Sequence, residues 1–423
     1  MQRSSVRKNQ TASHTRLYYL DDSQRTERKL AASGNRSKRA GKSAKGKKEN
    51  TNKFLKGGNY DVTLIAVIFI LVFFGLVMVF SASAPTALAY EGNEYHFIIR
   101  QGICAILGFF AMFICANIDY HIYGKWAFPI LVASLLILFT VYIPGIGMVI
   151  NDARRWIGIG GLSLQPSEIT KIGVIIFFSY SLSIMKSKIR QFWRGVMMYL
   201  VILGIFAIVL MKQPHFSCTV VLCLSCVVIM FVAGAKIWHF GVLAVLAGIA
   251  GTILVLKEPY RLERVLTFLE PFADTADSGY QITNSLYAIG SGGLFGLGLG
   301  MSRQKLLYLP EPHNDFIFAI ICEELGLLGA LVVVVLFGML IWRGYRIAQT
   351  ARDSYGSYLA TGITSLIGIQ TVLNIAVVTS SVPVTGVALP FFSYGGTSLV
   401  IMLASIGILL NVSKQCKGLG KDK

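Results

Sequence analysis

Five ionisable side chains interrupt long runs of apolar residues: Arg100, Glu168, Lys171, Glu323 and Glu324. A charge inside a bilayer is costly, so each is a candidate functional group. Glu168 and Lys171 are three residues apart and share one face of a helix, where they can pair. The pair is either a buried structural contact or a place where Lys171 meets an anion. Glu323 and Glu324 are adjacent and point in different directions around a helix. At least one must face the protein interior, toward a basic residue from another segment. Five more acids, Glu270, Asp274, Asp277, Glu311 and Asp315, lie between apolar runs, where a carboxylate can act as a general base. Arg154, Arg155, Arg261, Arg264, Arg303 and Lys305 lie in the same kind of segment. Guanidinium groups match phosphate oxygens, although solvated loop charge is the plainer reading. The run GSGGLFGLGLG at 290–300 could bring backbone N–H groups to a phosphate, but no strand–turn–helix order surrounds it, so tight turns are expected there.

These groups sit in a chain dominated by apolar residues. The 423 residues are 54% hydrophobic and only 14% charged, against about a quarter charged in soluble domains. Runs of about 20 apolar residues span a bilayer as helices. The expected fold is all-α and polytopic, with about ten transmembrane helices near 61–83, 97–117, 126–144, 166–185, 195–211, 216–234, 236–256, 315–342, 357–378 and 388–411. With the N-terminus inside, the inner loops and C-terminal end carry 13 basic residues and the outer loops 8, five of those in one long loop. The basic excess predicts both termini cytoplasmic. The charged segments then fall outside: 145–165, and a large extracytoplasmic loop at 257–314 between spans 7 and 8. Within that loop Leu262, Val265, Leu266 and Leu269 follow a helical period and predict an amphipathic helix on the outer membrane face.

The net charge of +18 is concentrated at one end: residues 1–58 hold 16 of the 39 Lys and Arg but 4 of the 21 Asp and Glu. That stretch, poor in large apolar residues, is expected to be a disordered basic cytoplasmic tail that touches anionic lipid rather than nucleic acid. A membrane domain is expected over 59–413 and a basic cytoplasmic end over 414–423. The seven cysteines form no metal-binding spacing and read as small packing residues. The first apolar run starts after residue 60 and is too long for the core of a signal peptide, so none is expected. Composition and spacing thus reach a membrane protein that handles an anionic, lipid-linked ligand on its outer face. They leave transport and catalysis open.

Five ordered motifs go further: FGLVMVFSAS at 74–83, RRWIGIGGLSLQPSEITK at 154–171, the loop run at 264–300, KLLYLPEPHNDFIFAIICEELGLLG at 305–329 and PVTGVALPFFSYGGTSL at 383–399. Together they resemble the SEDS family (shape, elongation, division and sporulation), which comprises FtsW, RodA and SpoVE. The resemblance implies a peptidoglycan glycosyltransferase that polymerises lipid II at the outer leaflet of the bacterial cell membrane. It puts the catalytic carboxylate at Asp274, ahead of GYQ, although Thr275 stands where the family usually has Pro and Asp277 where it often has Gly. It also implies substrate contacts from Arg154, Arg155, Glu168, Lys171, Arg261, Arg264, Gln281, Ser285, Lys305 and Glu324. A divalent cation, Mg or Mn, is the only cofactor implied. The implied partners are a class B penicillin-binding transpeptidase and other division proteins. His215, in MKQPHFSCT, replaces a family Asp. GYQ followed by NSL, and the VTGVALPFFSYGGTSL ending, look closer to FtsW and SpoVE than to RodA, which favours the septum or sporulation over elongation. The rivals are a lipid II flippase and a non-catalytic scaffold.

Overall fold

The computed structural model describes residues 58–416 apart from 151–152, 160–161, 258 and 273–278. The expected tail at 1–58 therefore lies, but for Gly58, outside the described residues, as do 417–423 of the basic end. The described α-helices are α1 (Val62–Glu91), α2 (His96–Asn117), α3 (Tyr120–Lys125), α4 (Ala127–Phe139), α5 (Pro166–Met185), α6 (Met197–Lys212), α7 (Phe216–Val232), α8 (Ile237–Lys257), α9 (Pro259–Leu269), α10 (Tyr280–Gly292), α11 (Ile317–Thr350), α12 (Ser354–Val378) and α13 (Gly396–Gln415). All but α3, α9 and α10 coincide with apolar runs. Six of them, α1, α2, α5, α11, α12 and α13, are long and apolar enough to cross a membrane, while α4, α6 and α7 are apolar but shorter. Large side chains such as Phe73, Ile106 and Phe110 point away from the protein on α1 and α2. Such surfaces suit hydrocarbon, and the chain is a multi-pass membrane protein.

Small residues set the closest helix contacts, as they do where lipid and protein are equally apolar. On α2, a Cβ at Gly108 would come 2.5 Å from the Leu403 side chain of α13, and on α13 a Cβ at Gly407 would come 2.3 Å from the Met112 carbonyl. On α12, Gly362 packs against Ile175 of α5 and Ile229 of α7. At one end of the bundle the Asp61 side chain caps α1 by accepting from the Leu64 N–H, and it forms a 2.8 Å ion pair with Arg343 of α11.

Two features depart from the all-helical expectation. The segment at 145–165 folds as an antiparallel sheet of β1 (Gly147–Ile150), β2 (Ala153–Ile159) and β3 (Leu162–Leu164), ordered β1-β2-β3. On β2 Arg154 is exposed and Ile157 buried. Seven residues long, that strand gives a weak period, and Gly158 interrupts it further. The second feature is a helix broken inside an apolar run. Gly326 of α11 has φ 65° and ψ −165°, which ends the local ladder. The Gly-rich stretch repairs it: Leu297 and Gly298 N–H donate to the Glu323 and Glu324 carbonyls at 3.0 and 2.9 Å, and Leu327 N–H donates to the Gly293 carbonyl at 2.9 Å. Irregular backbone within an apolar segment persists only where such groups are satisfied by protein. Glycine is required here: a Cβ at Gly296 would meet the Glu324 carbonyl at 2.1 Å, and one at Gly326 the Gly296 nitrogen at 2.4 Å.

The amphipathic helix expected near 262–269 is present as α9, with Leu262, Leu266 and Leu269 exposed. The large loop also contains α10, whose Ser285 is buried and donates to the Val378 carbonyl at 2.8 Å. Short polar and glycine-rich, α10 carries no apolar run that would reveal it.

Candidate functional site

The N-termini of α5, α7 and α13 meet at one place. The side chain of Gln165, just ahead of α5, donates to Nε2 of His215, the residue that precedes α7, at 2.7 Å. The Ser398 hydroxyl, in the first turn of α13, donates to Glu168 in the first turn of α5 at 3.2 Å. Helix N-termini present unpaired N–H groups and positive dipole ends, an environment that favours anions.

Cations from the strand and the helices add to this field. The Arg155 side chain reaches from β2 and donates to the Gln213 and Pro214 carbonyls at 3.2 and 2.6 Å. Lys171, only 1% exposed, pairs with Glu168 at 2.8 Å. Arg264 of α9 donates to the Val384 carbonyl at 2.9 Å and so ties the large loop to the segment ahead of α13. Burial, with Arg155 and then Lys171 nearby, pushes His215 down to about 3. The ring is therefore neutral at ordinary pH, and its acceptor Nε2 puts the proton on Nδ1. His215 thus adds no positive charge and, unlike a carboxylate, cancels none.

The expected residues divide among three settings. Arg155, Glu168, Lys171 and Arg264 belong to the cationic area through the contacts above. Arg154 is exposed on β2, and Gln281 is half-buried in the first turn of α10. Lys305 and Glu324 are buried against each other at 2.7 Å, with Ser81 of α1 bonded to both. Next to them Glu323 accepts from the Ser302 hydroxyl and, at 2.9 Å, from the Arg303 N–H. These two glutamates clamp the turn at 302–305. Asp274, the expected base, and Asp277 lie outside the described residues, as does the side chain of Arg261. Among the described residues no group of three or more His, Cys, Asp or Glu side chains is placed to hold a metal ion.

Spacing did not single out Gln165, Gln213, His215 or Ser398 as neighbours of this area. Gln165 and Ser398 were visible only as members of the QPSE and GGTSL motifs. His215 was visible only as a departure from a motif.

A mostly helical membrane fold with polar residues gathered at one end of the bundle defines a class of membrane proteins that present a charged site at the bilayer surface. The match to a family profile is more specific: residues 61–418 match the FtsW, RodA and SpoVE profile described as cell cycle protein, and the chain belongs to that family. It is 47% identical over 355 residues to stage V sporulation protein E of Bacillus subtilis (strain 168), covering 84% of this chain and 97% of that one. It is 41% identical over 359 residues to the probable peptidoglycan glycosyltransferase FtsW of Geobacter sp. (strain M18), covering 85% and 98%. Among solved structures, a chain of a peptidoglycan synthase complex that coordinates polymerization and crosslinking matches with a TM-score of 0.71 at 27% identity, over 84% of this chain and 98% of that one. The rod shape determining protein RodA of Thermus thermophilus matches with a TM-score of 0.63 at 26% identity, over 85% and 98%.

Proposed function

We propose that this protein is a peptidoglycan glycosyltransferase that polymerises lipid II at the outer leaflet for cell division or sporulation. The observation that carries this reading is the gathering of Arg155, Lys171 and Arg264 with three helix N-termini at one end of the bundle. The acceptor sugar hydroxyl is a weak nucleophile and needs a base, a role that falls to Asp274. The leaving group is a lipid pyrophosphate, and fixed cations lower the energy of the charge that develops on it. A divalent cation such as Mg would help to offset that charge, without a three-ligand cluster from the described residues.

Ten spans with both termini in the cytoplasm place this site outside, and the basic tail then holds the inner leaflet. A class B transpeptidase suits the reaction as partner, since new strands require crosslinking, and the septum is the expected location. Reconstitution of the purified protein with lipid II tests the activity: glycan strands on a gel are the expected product. Movement of lipid II across the bilayer without any strand would establish a flippase instead.

The Glu168–Lys171 pair offers a separate test. Removing one partner leaves a buried charge unpaired, whereas removing both does not. The combined Glu168→Gln and Lys171→Met variant should therefore reach the membrane better than either single variant. Because Lys171 contributes positive charge to the donor site in this reading, the double variant should still be inactive in the strand assay. Recovery of activity would reduce the pair to a structural contact.

A further inference from the structure

The turn between α6 and α7, at 213–215, is tied to three helices. Gln213 is 2% exposed, and its side-chain amide donates to the Leu138 carbonyl of α4 at 2.8 Å. That carbonyl lies in the last turn of α4, where the helical ladder runs out of donors. The Gln213 and His215 N–H groups donate to the Leu210 carbonyl of α6 at 3.1 and 3.0 Å. The His215 carbonyl accepts from the N–H and the hydroxyl of Thr219 on α7 at 3.2 and 3.1 Å. The tie to α4 is made by the Gln213 side chain, whereas the ties to α6 and α7 run through backbone groups of the turn.

This turn presents two consecutive carbonyls to one side chain. The Gln213 carbonyl accepts from Nε of Arg155 at 3.2 Å, and the Pro214 carbonyl accepts from a terminal nitrogen of the same guanidinium at 2.6 Å. An unsupported arginine side chain samples many rotamers. A guanidinium is a rigid planar fork, so bonds to two separate acceptors fix both its position and its tilt. Both acceptors are neutral, and these bonds orient the charge without cancelling it. Carboxylates do cancel the charges of Arg343, Lys171 and Lys305, which pair with Asp61, Glu168 and Glu324.

We propose that Gln213 is a positioning residue for donor binding: by tying the turn to α4 it holds in place the two carbonyls that aim the Arg155 guanidinium at the lipid pyrophosphate. This deepens the polymerase reading and rests on it. A cation acts most strongly on an anion when it is already in place, because no reorganisation is then needed. Without the Gln213 amide, the turn is released from α4 and both carbonyls shift with it. Arg155 keeps its charge and loses its aim, and a misplacement of about 1 Å in such a group can cost up to about a hundredfold.

A double-mutant cycle on the affinity of the detergent-purified full-length protein for undecaprenyl pyrophosphate tests this. Gln213→Met keeps the length of the side chain and removes the donor. Arg155→Lys keeps the charge but cannot span both carbonyls as a fork. Each single variant should bind about tenfold more weakly than wild type. The combined variant should bind within about twofold of Arg155→Lys alone, because no fork is left for Gln213 to aim. A residue that only ties helices together would weaken binding by the same factor in both backgrounds, and that additive result would overturn the inference. Wild-type affinity in Gln213→Met would overturn it too. Gln213→Asn, one methylene too short for the Leu138 carbonyl, repeats the cycle if Gln213→Met is not monodisperse. Loss of the fold in both variants would assign Gln213 to stability alone and overturn the inference. Wild-type protein that binds no undecaprenyl pyrophosphate would instead defeat the donor site, and the role of Gln213 with it.

Discussion

Asp274→Asn should lower lipid II polymerisation by about two orders of magnitude or more, at unchanged expression. The substitution keeps the size of the side chain and removes its basicity. The acceptor hydroxyl then has to lose its proton to water as the new bond forms. Strand formation by equal amounts of purified wild type and variant is the measurement. The amide should leave the fold intact, since a loop carboxylate contributes little to stability. Binding of undecaprenyl pyrophosphate should also survive, because the cations that attract it remain. Asp277→Asn is the necessary companion, as the two acids are three residues apart in ADTADSGYQ. Near-normal strands from Asp274→Asn together with none from Asp277→Asn would move the base to Asp277.

The membrane helices were legible because one rule governs them: about 20 apolar residues in a row have few other fates. The amphipathic α9 was legible for a related reason, a helical period of leucines among charges. The sheet at 147–164 and the break at Gly326 were not, because both depend on partners distant in sequence. Gly326 reads as an ordinary residue of an apolar helix until the 293–298 segment lies against it and takes up the freed carbonyls and N–H groups. The site was half legible. Charge in apolar runs pointed to Glu168 and Lys171, and their helical spacing gave the pair. The need of Glu323 and Glu324 for interior partners was also legible, but not the identity of those partners. Resemblance places both Lys305 and Glu324 at the substrate, and the structure pairs them with each other.

That pair carries the largest effect expected on stability. Glu324 is fully buried and Lys305 is 5% exposed, so neither charge has water to fall back on. Removing one partner of such a pair costs about 3–5 kcal/mol, because the other is left buried and uncompensated. Lys305→Met strands Glu324 beside Ser81. Glu324→Ala strands the ammonium and also removes the acceptor of the Ser81 hydroxyl. Each single variant should therefore lose its folded, monodisperse state in detergent at a clearly lower temperature than wild type. The combined Lys305→Met and Glu324→Gln variant should regain most of that loss, since replacing both charges removes the desolvation cost together with the attraction. Activity separates the two roles open to Lys305. The segment at 302–305 is also held by Glu323, through the Ser302 hydroxyl and the Arg303 and Gln304 N–H groups, so its backbone stays in place in the double variant. A clamp needs only that placement, and strand synthesis should return along with stability. A double variant that is as stable as wild type but makes no strands would show that the Lys305 ammonium leaves Glu324 to meet the substrate.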